Sequence, residues 1–210
     1  ELIGSIDNNY SPTQEVEMLV LKAKKLLSEG KYLDSKDYFT KALKIIEKEE
    51  NKDKLAQVYL TVGKIYGEMG DNEKLLQYSE KVYDLKKYDS DEYMMDSLFN
   101  IIESYIDSNN FEQAKKYSKL ALAAAIKTKS KYDEFRALKY YCDIYKYKGE
   151  TEISIEYLLK CIDIVSTLDK EEVLGNLYIE LGQLYSGISK DKELECYQKG
   201  VTIFKNLEII

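Results

Sequence analysis

The chain has 210 residues, of which 33% are charged and 44% hydrophobic, and its formal net charge is −7. The negative balance and the single arginine exclude the clustered basic surface that holds a nucleic-acid backbone. No apolar run approaches the ~20 residues that cross a membrane. We therefore expect neither membrane contact nor nucleic-acid binding by this chain itself.

The first predicted helix begins after Ser11, where the segment Ser-Pro-Thr-Gln has the pattern of a capping box with proline at the tolerated first position. Apolar residues then recur every three or four positions, which indicates one buried helical stripe. Gly30 ends this helix, since glycine adopts the left-handed conformation that terminates helices. Stripes and turns alternate along the chain and predict ten helices, at 12–28, 31–49, 53–69, 72–87, 91–108, 111–128, 132–148, 151–166, 170–186 and 191–207.

A repeat is marked by residues that are mostly small and are followed three positions later by a large, mainly aromatic one. They are Ala23, Gly63, Ile102, Cys142 and Gly182, at intervals of 40, 39, 40 and 40 residues. A second set follows 19 positions later, or 18 in the fifth copy: Ala42, Val82, Ala121, Cys161 and Gly200. This register predicts five helix–turn–helix repeats, near 12–50, 51–89, 90–129, 130–168 and 169–210. Residues 1–11 are predicted to be a linker or the remnant of an upstream segment.

The repeat resembles the tetratricopeptide repeat (TPR), over about residues 16–207. The family has small residues at the eighth, twentieth and twenty-seventh positions, an aromatic residue at the eleventh, and a glycine-containing turn. The resemblance implies an all-α, right-handed α-solenoid in which the first helix of each repeat lines a concave binding surface. Ile102, Leu75 and Glu193 depart from the small-residue rule and are predicted to loosen the packing locally.

At the positions that line the concave groove in the TPR family, this chain has polar side chains of both charge signs. Asparagine and glutamine amides can pair with the backbone of an extended peptide without reading its sequence. Arg136 can hold a carboxylate through two parallel hydrogen bonds. The predicted partner is therefore a short peptide or an extended protein segment; the alternative for each residue is ordinary solvated surface. The predicted ligand-binding residues are Lys64, Asn100, Glu103, Arg136, Lys139, Tyr140, Asp143, Asn176 and Gln183.

Catalysis, a metal site and a cofactor find no support in the residue pattern. Histidine, the commonest general base and metal ligand, does not occur in the sequence. Runs of carboxylates fall at the turns between repeats, where solvated surface and helix capping explain them. Cys142 and Cys161 occupy small-residue positions and are predicted to be packing residues. We expect free thiols in a reducing cytoplasm, and no enzyme.

Repeat type and length are also similar to those of the sensory domain of RRNPP-type quorum-sensing regulators, cytoplasmic proteins of low-GC Gram-positive bacteria. That resemblance implies the peptide-sensing part of a transcriptional regulator, with a DNA-binding domain upstream of Glu1. Two alternatives stay open. One is a generic TPR scaffold that docks a protein segment with no small peptide signal. The other is a response-regulator phosphatase of the Rap branch, which would need an additional N-terminal helical bundle.

The last predicted helix is as apolar as the internal ones, although solenoids normally close with a polar outer face. Exposed apolar patches usually mark an interface. We therefore expect a homodimer, with self-association through Val201, Phe204 and Leu207. The alternative is that Ile209 and Ile210 fold back and cover the helix within one chain.

Overall fold

The computed structural model describes residues 11–48, 51–87 and 92–207. Within these ranges the chain forms ten α-helices and no strand: α1 (Pro12–Ser28), α2 (Tyr32–Ile46), α3 (Lys52–Glu68), α4 (Asn72–Lys86), α5 (Glu92–Asp107), α6 (Phe111–Thr128), α7 (Lys131–Tyr147), α8 (Thr151–Val165), α9 (Glu171–Tyr185) and α10 (Lys190–Asn206). The predicted all-α class is confirmed, and the helix boundaries agree to within three residues. Of the predicted linker, residues 1–10 lie outside the described part.

The chain divides into two compact units, residues 1–100 and 101–210, with the boundary inside α5. In the first unit, α1–α2 and α3–α4 form helical hairpins, and α2 packs on α3. In the second unit, α7–α8 and α9–α10 are hairpins, α6 packs on α7, and α8 packs on α9. No helix in the described ranges has the length and apolar character to cross a membrane.

The turn inside each hairpin is built on one left-handed residue. In four repeats it is a glycine: Gly30 at φ 73°, Gly70 at 79°, Gly149 at 76° and Gly187 at 77°. The third repeat uses Asn109 at φ 56°, because asparagine tolerates this conformation better than most residues. The N–H of the next residue, Asn110, then donates to the carbonyl of Tyr105 at 2.8 Å. The same helix ending therefore forms with or without glycine.

Buried serines tie the two helices of a hairpin together. The Ser35 hydroxyl donates to the carbonyl of Ala23 at 2.8 Å, and Ser154 donates to that of Cys142 at 3.0 Å. These two bonds occupy equivalent positions in the first and fourth repeats. They satisfy the hydroxyls inside the core and hold the paired helices close together.

Leu75 and Ile102, two of the three residues that depart from the small-residue rule, are accommodated between the helices. Ile102 is fully buried. The Leu75 side chain lies against two glycines of α3: a Cβ added to Gly67 would come within 3.0 Å of it, and one added to Gly63 within 3.5 Å. The larger residue on α4 thus lies opposite smaller residues on α3.

The final helix exposes less apolar surface than the sequence predicts. The rings of Tyr197 and Phe204 pack over glycines of α9 and are half-buried, as is Leu207. Leu194 and Val201 stay exposed, at 57% and 36%. At the equivalent positions of α8, where α9 covers the helix, the residues are 8% exposed: Ile155 and Ile162. Ile209 and Ile210 lie outside the described residues.

Candidate functional site

The first helices of successive repeats carry the predicted groove positions, and in the second unit α7 and α9 bring charged side chains together. The Lys139 ammonium lies 2.5 Å from the Asp143 carboxylate, one turn further along α7, and 3.2 Å from Glu180 on α9. Lys146 lies 3.3 Å from the same Glu180. We call these four residues the α7–α9 charge cluster. Two cations and two anions balance each other in it.

The cluster is partly withdrawn from water. The side chains of Lys139 and Glu180 are 23% and 17% exposed. Burial lowers the pKa of Lys139, but the carboxylates of Asp143 and Glu180 together outweigh burial, so that its pKa lies above the usual value. Burial raises the pKa of Asp143, although Lys139 acts in the opposite direction. Lys139 therefore opposes the effect of burial and favours the charged form of the Asp143 carboxyl.

A second contact joins α7 to α5. The Tyr140 hydroxyl donates a hydrogen bond to the Glu103 carboxylate. Burial, and then the negative charge of Glu103, raise the pKa of Tyr140 far above its usual value, while Arg136 acts to lower it. Tyr140 thus remains a neutral donor. The Arg136 guanidinium lies 3.8 Å from the carboxylate of Asp133, one turn earlier on α7.

The other predicted residues lie on α3, α5 and α9. Asn176 and Gln183 lie on α9 with exposed side chains. Lys64 on α3 is exposed and belongs to the first unit, as does Asn100, which is half-buried. Among the predicted residues, the structure thus pairs Tyr140 with Glu103 and Lys139 with Asp143.

Glu180 and Lys146 were missed by the sequence prediction. Glu180 occupies the same repeat position as Tyr140, so the family's groove positions did point to it. Its importance depends on the distance between α7 and α9, which a residue pattern does not give.

The first unit has a hollow of about 220 Å³ on the side formed by α1 and α3. Glu17 and Lys54 form an ion pair there at 2.7 Å, and the neighbouring Leu21 is 67% exposed. The lining residues occupy mainly groove positions of the first two repeats: Glu17, Val20, Leu21, Lys24, Lys54 and Gln57. The first-helix side therefore offers an apolar contact with charges beside it.

One group of potential metal ligands occurs in the described part of the chain. Donor atoms of Cys142, Asp143 and Glu180 lie within 4.8 Å of one another. Burial raises the pKa of the Cys142 thiol to about 11, whereas a metal requires the thiolate. The Lys139 ammonium also lies between the two carboxylates. The residues present fit an ion-pair cluster and do not fit a metal centre.

Comparisons with known proteins agree with this architecture. Residues 56–89 match the tetratricopeptide repeat family. BtubC from P. vanneervenii has a TM-score of 0.84 at 15% identity, over 94% of this chain and 84% of its own. Aspartyl phosphate phosphatase F from Bacillus subtilis has a TM-score of 0.85 at 17% identity, over 95% of this chain and 53% of its own. A Rap protein complexed with competence and sporulation factor has a TM-score of 0.74 at 17% identity, over 97% of this chain and 57% of its own.

This chain spans about half the length of the last two proteins. A search of curated proteins gives no match. The likenesses define the fold, which is that of the TPR-like repeat proteins.

Proposed function

We propose that this chain is a peptide-binding domain that takes an extended peptide on its first-helix side. The α7–α9 charge cluster is the observation that carries this proposal. Four charged side chains from two successive repeats are gathered on the groove positions, at the cost of partial desolvation.

The chemistry of the cluster suits a peptide. The ammonium groups of Lys139 and Lys146 can also bind a carboxylate of the ligand, and the Glu180 carboxylate can bind a ligand amine. The exposed amides of Asn176 and Gln183 on α9 can pair with backbone N–H and C=O groups. Since backbone groups are common to all peptides, this arrangement supplies affinity, and the charged side chains supply selectivity.

The biological setting is part of the same proposal. The Rap protein complexed with competence and sporulation factor supports a signalling peptide as the ligand class. We propose a cytoplasmic quorum-sensing receptor, the sensing part of a transcriptional regulator with a separate DNA-binding domain. Self-association into a homodimer would use the exposed Val201 and Leu194 of α10, together with the half-buried Phe204 and Leu207. We propose no catalytic step.

The variants Arg136→Ala and Asn176→Ala test the site. The probe is a set of heptapeptides enriched from a random library by the wild-type chain, with affinity measured by fluorescence polarisation. Loss of a hydrogen bond to a charged group costs ~1.5–3 kcal/mol, so the Arg136→Ala dissociation constant should rise about ten- to a hundred-fold. Asn176→Ala should weaken binding less, because its amide is neutral. Lys119→Ala on α6, which removes an exposed cation from a second helix, is the control and should bind as wild type. The proposal is wrong if no heptapeptide is enriched, or if all three variants bind alike.

A further inference from the structure

A groove of about 560 Å³ lies in the second unit between the second helices of two successive repeats, α6 and α8, with α7 beneath. Its inner surface is apolar: Leu138 is 8% exposed, and Leu122 and Ile164 are half-buried. Its walls are Ile126 on α6 and Leu159 on α8, which are 58% and 45% exposed. None of these residues belongs to the α7–α9 charge cluster.

The two wall residues depart from the pattern of the other repeats. At the position of Ile126 the other four repeats have Glu47, Lys87, Ser166 and Lys205. At the position of Leu159 they have Thr40, Glu80, Lys119 and Gln198. The fold therefore does not require an apolar residue at either position. Two exposed aliphatic side chains facing one groove indicate a surface that is covered by something else.

The shape of α6 contributes to the groove. This helix has 18 residues, whereas α2, α4 and α8 have 15. The helices begin at equivalent positions, so the three additional residues are at the C-terminal end and start with Ile126. Lys129 ends the helix in a left-handed conformation at φ 59°. The additional turn extends the wall that carries Ile126.

Charges of both signs border the apolar surface. On α8, Lys160 and Asp163 lie one turn apart. Lys160 lies 4.7 Å from the centre of the Tyr157 ring, and Asp163 is exposed. On α7, Lys131 and Glu134 form an ion pair with each other at 2.8 Å. The α8 side thus presents one cation and one anion to an occupant.

We propose that this α6–α8 groove docks a short amphipathic α-helix of a partner protein. Small-molecule sites enclose most of their ligand, and walls that are about half exposed do not. A helix lying along the groove instead places residues i, i+3, i+4 and i+7 on the apolar surface. A basic residue of that helix then faces Asp163, and an acidic one faces Lys160. This second site is independent of the peptide site proposed above.

The test uses helix-forming peptides of about four turns, displayed as a library with apolar residues fixed at i, i+3, i+4 and i+7. The dissociation constants of the enriched peptides are then compared between the full wild-type chain and the Ile126→Ser/Leu159→Gln variant. Serine is the residue that the fourth repeat has at the position of Ile126, and glutamine is the residue that the fifth repeat has at the position of Leu159. The fold therefore tolerates both replacements. The dissociation constant should rise about ten- to a hundred-fold, as for the loss of anchor residues at an interface.

Leu33→Glu is the matched control. Leu33 on α2 is 70% exposed, and the other repeats have Glu73, Glu112, Glu152 and Asp191 at its position. This variant should bind the helical peptides as wild type does. Asp163→Lys should weaken the enriched peptides that carry a basic residue, and exchanging that residue for glutamate should restore their affinity.

Three results would overturn the proposal. The library could give no enriched helix, or the groove variant could bind as tightly as wild type while circular dichroism shows both to be folded. Alternatively, sedimentation could show a wild-type dimer that Ile126→Ser/Leu159→Gln dissociates. The occupant would then be a second copy of this chain.

Discussion

Replacing Lys139 with alanine should lower the free energy of unfolding by about 3 kcal/mol near neutral pH, because removal of one partner leaves buried charges uncompensated. Asp143 and Glu180 would then share the cluster with Lys146 alone. Urea unfolding of the two proteins measures the difference. Lys146→Ala is the control: Lys146 is 42% exposed and lies 3.3 Å from Glu180, so its loss should cost less than about 1 kcal/mol.

The pH dependence of the Lys139→Ala deficit has a definite sign. Burial already raises the pKa of Asp143 in the folded state, and loss of the ammonium raises it further. A carboxyl whose folded pKa exceeds its unfolded value destabilises the protein above that pKa, and the penalty disappears as the pH falls through it. The deficit should therefore shrink between pH 7 and about pH 4. Equal losses in both lysine variants, or a deficit that does not change with pH, would contradict the account of the cluster.

Gly182→Ala should destabilise the chain by ~1–3 kcal/mol through overpacking, although alanine is the better helix former by about 1 kcal/mol. An added Cβ would come within 2.7 Å of a ring carbon of Tyr197. The double variant Gly182→Ala/Tyr197→Leu should recover part of this loss. The fourth repeat supports this, since Cys142 and Leu158 occupy the same two positions and are fully buried.

A double-mutant cycle from urea unfolding checks the coupling between positions 182 and 197. Tyr197→Leu alone supplies the fourth corner of the cycle. Additive substitutions, or a Gly182→Ala variant that is more stable than wild type, would contradict the close approach of α9 and α10 at this position.

The helices were predictable because each depends on local information. Apolar residues at helical spacing fix the buried stripe, and the capping box at Ser11 and the glycine at Gly30 fix its ends. The 40-residue register then places equivalent residues on equivalent helices. Even Asn109, which replaces the usual glycine, could be aligned because the register continued through it.

What the sequence did not predict depends on contacts between helices. Glu180 becomes important because α9 brings it to Lys139, about 40 positions earlier in the chain. Leu75 fits between α3 and α4 because Gly67 lies opposite it, and Phe204 is half-buried because Gly175 leaves space for its ring. Composition and periodicity identify such residues singly. Their pairing follows from the packing of one helix on the next.

Site-specific photo-cross-linking of an enriched heptapeptide to the chain shows directly which helices the peptide contacts. One variant carries a benzophenone amino acid in place of Asn176, exposed on the first helix α9. The other carries it in place of Lys119, exposed on the second helix α6. Peptide binding on the first-helix side predicts a saturable cross-link from position 176 that unlabelled peptide competes away, and none from position 119. A cross-link from position 119, with none from position 176, would contradict it.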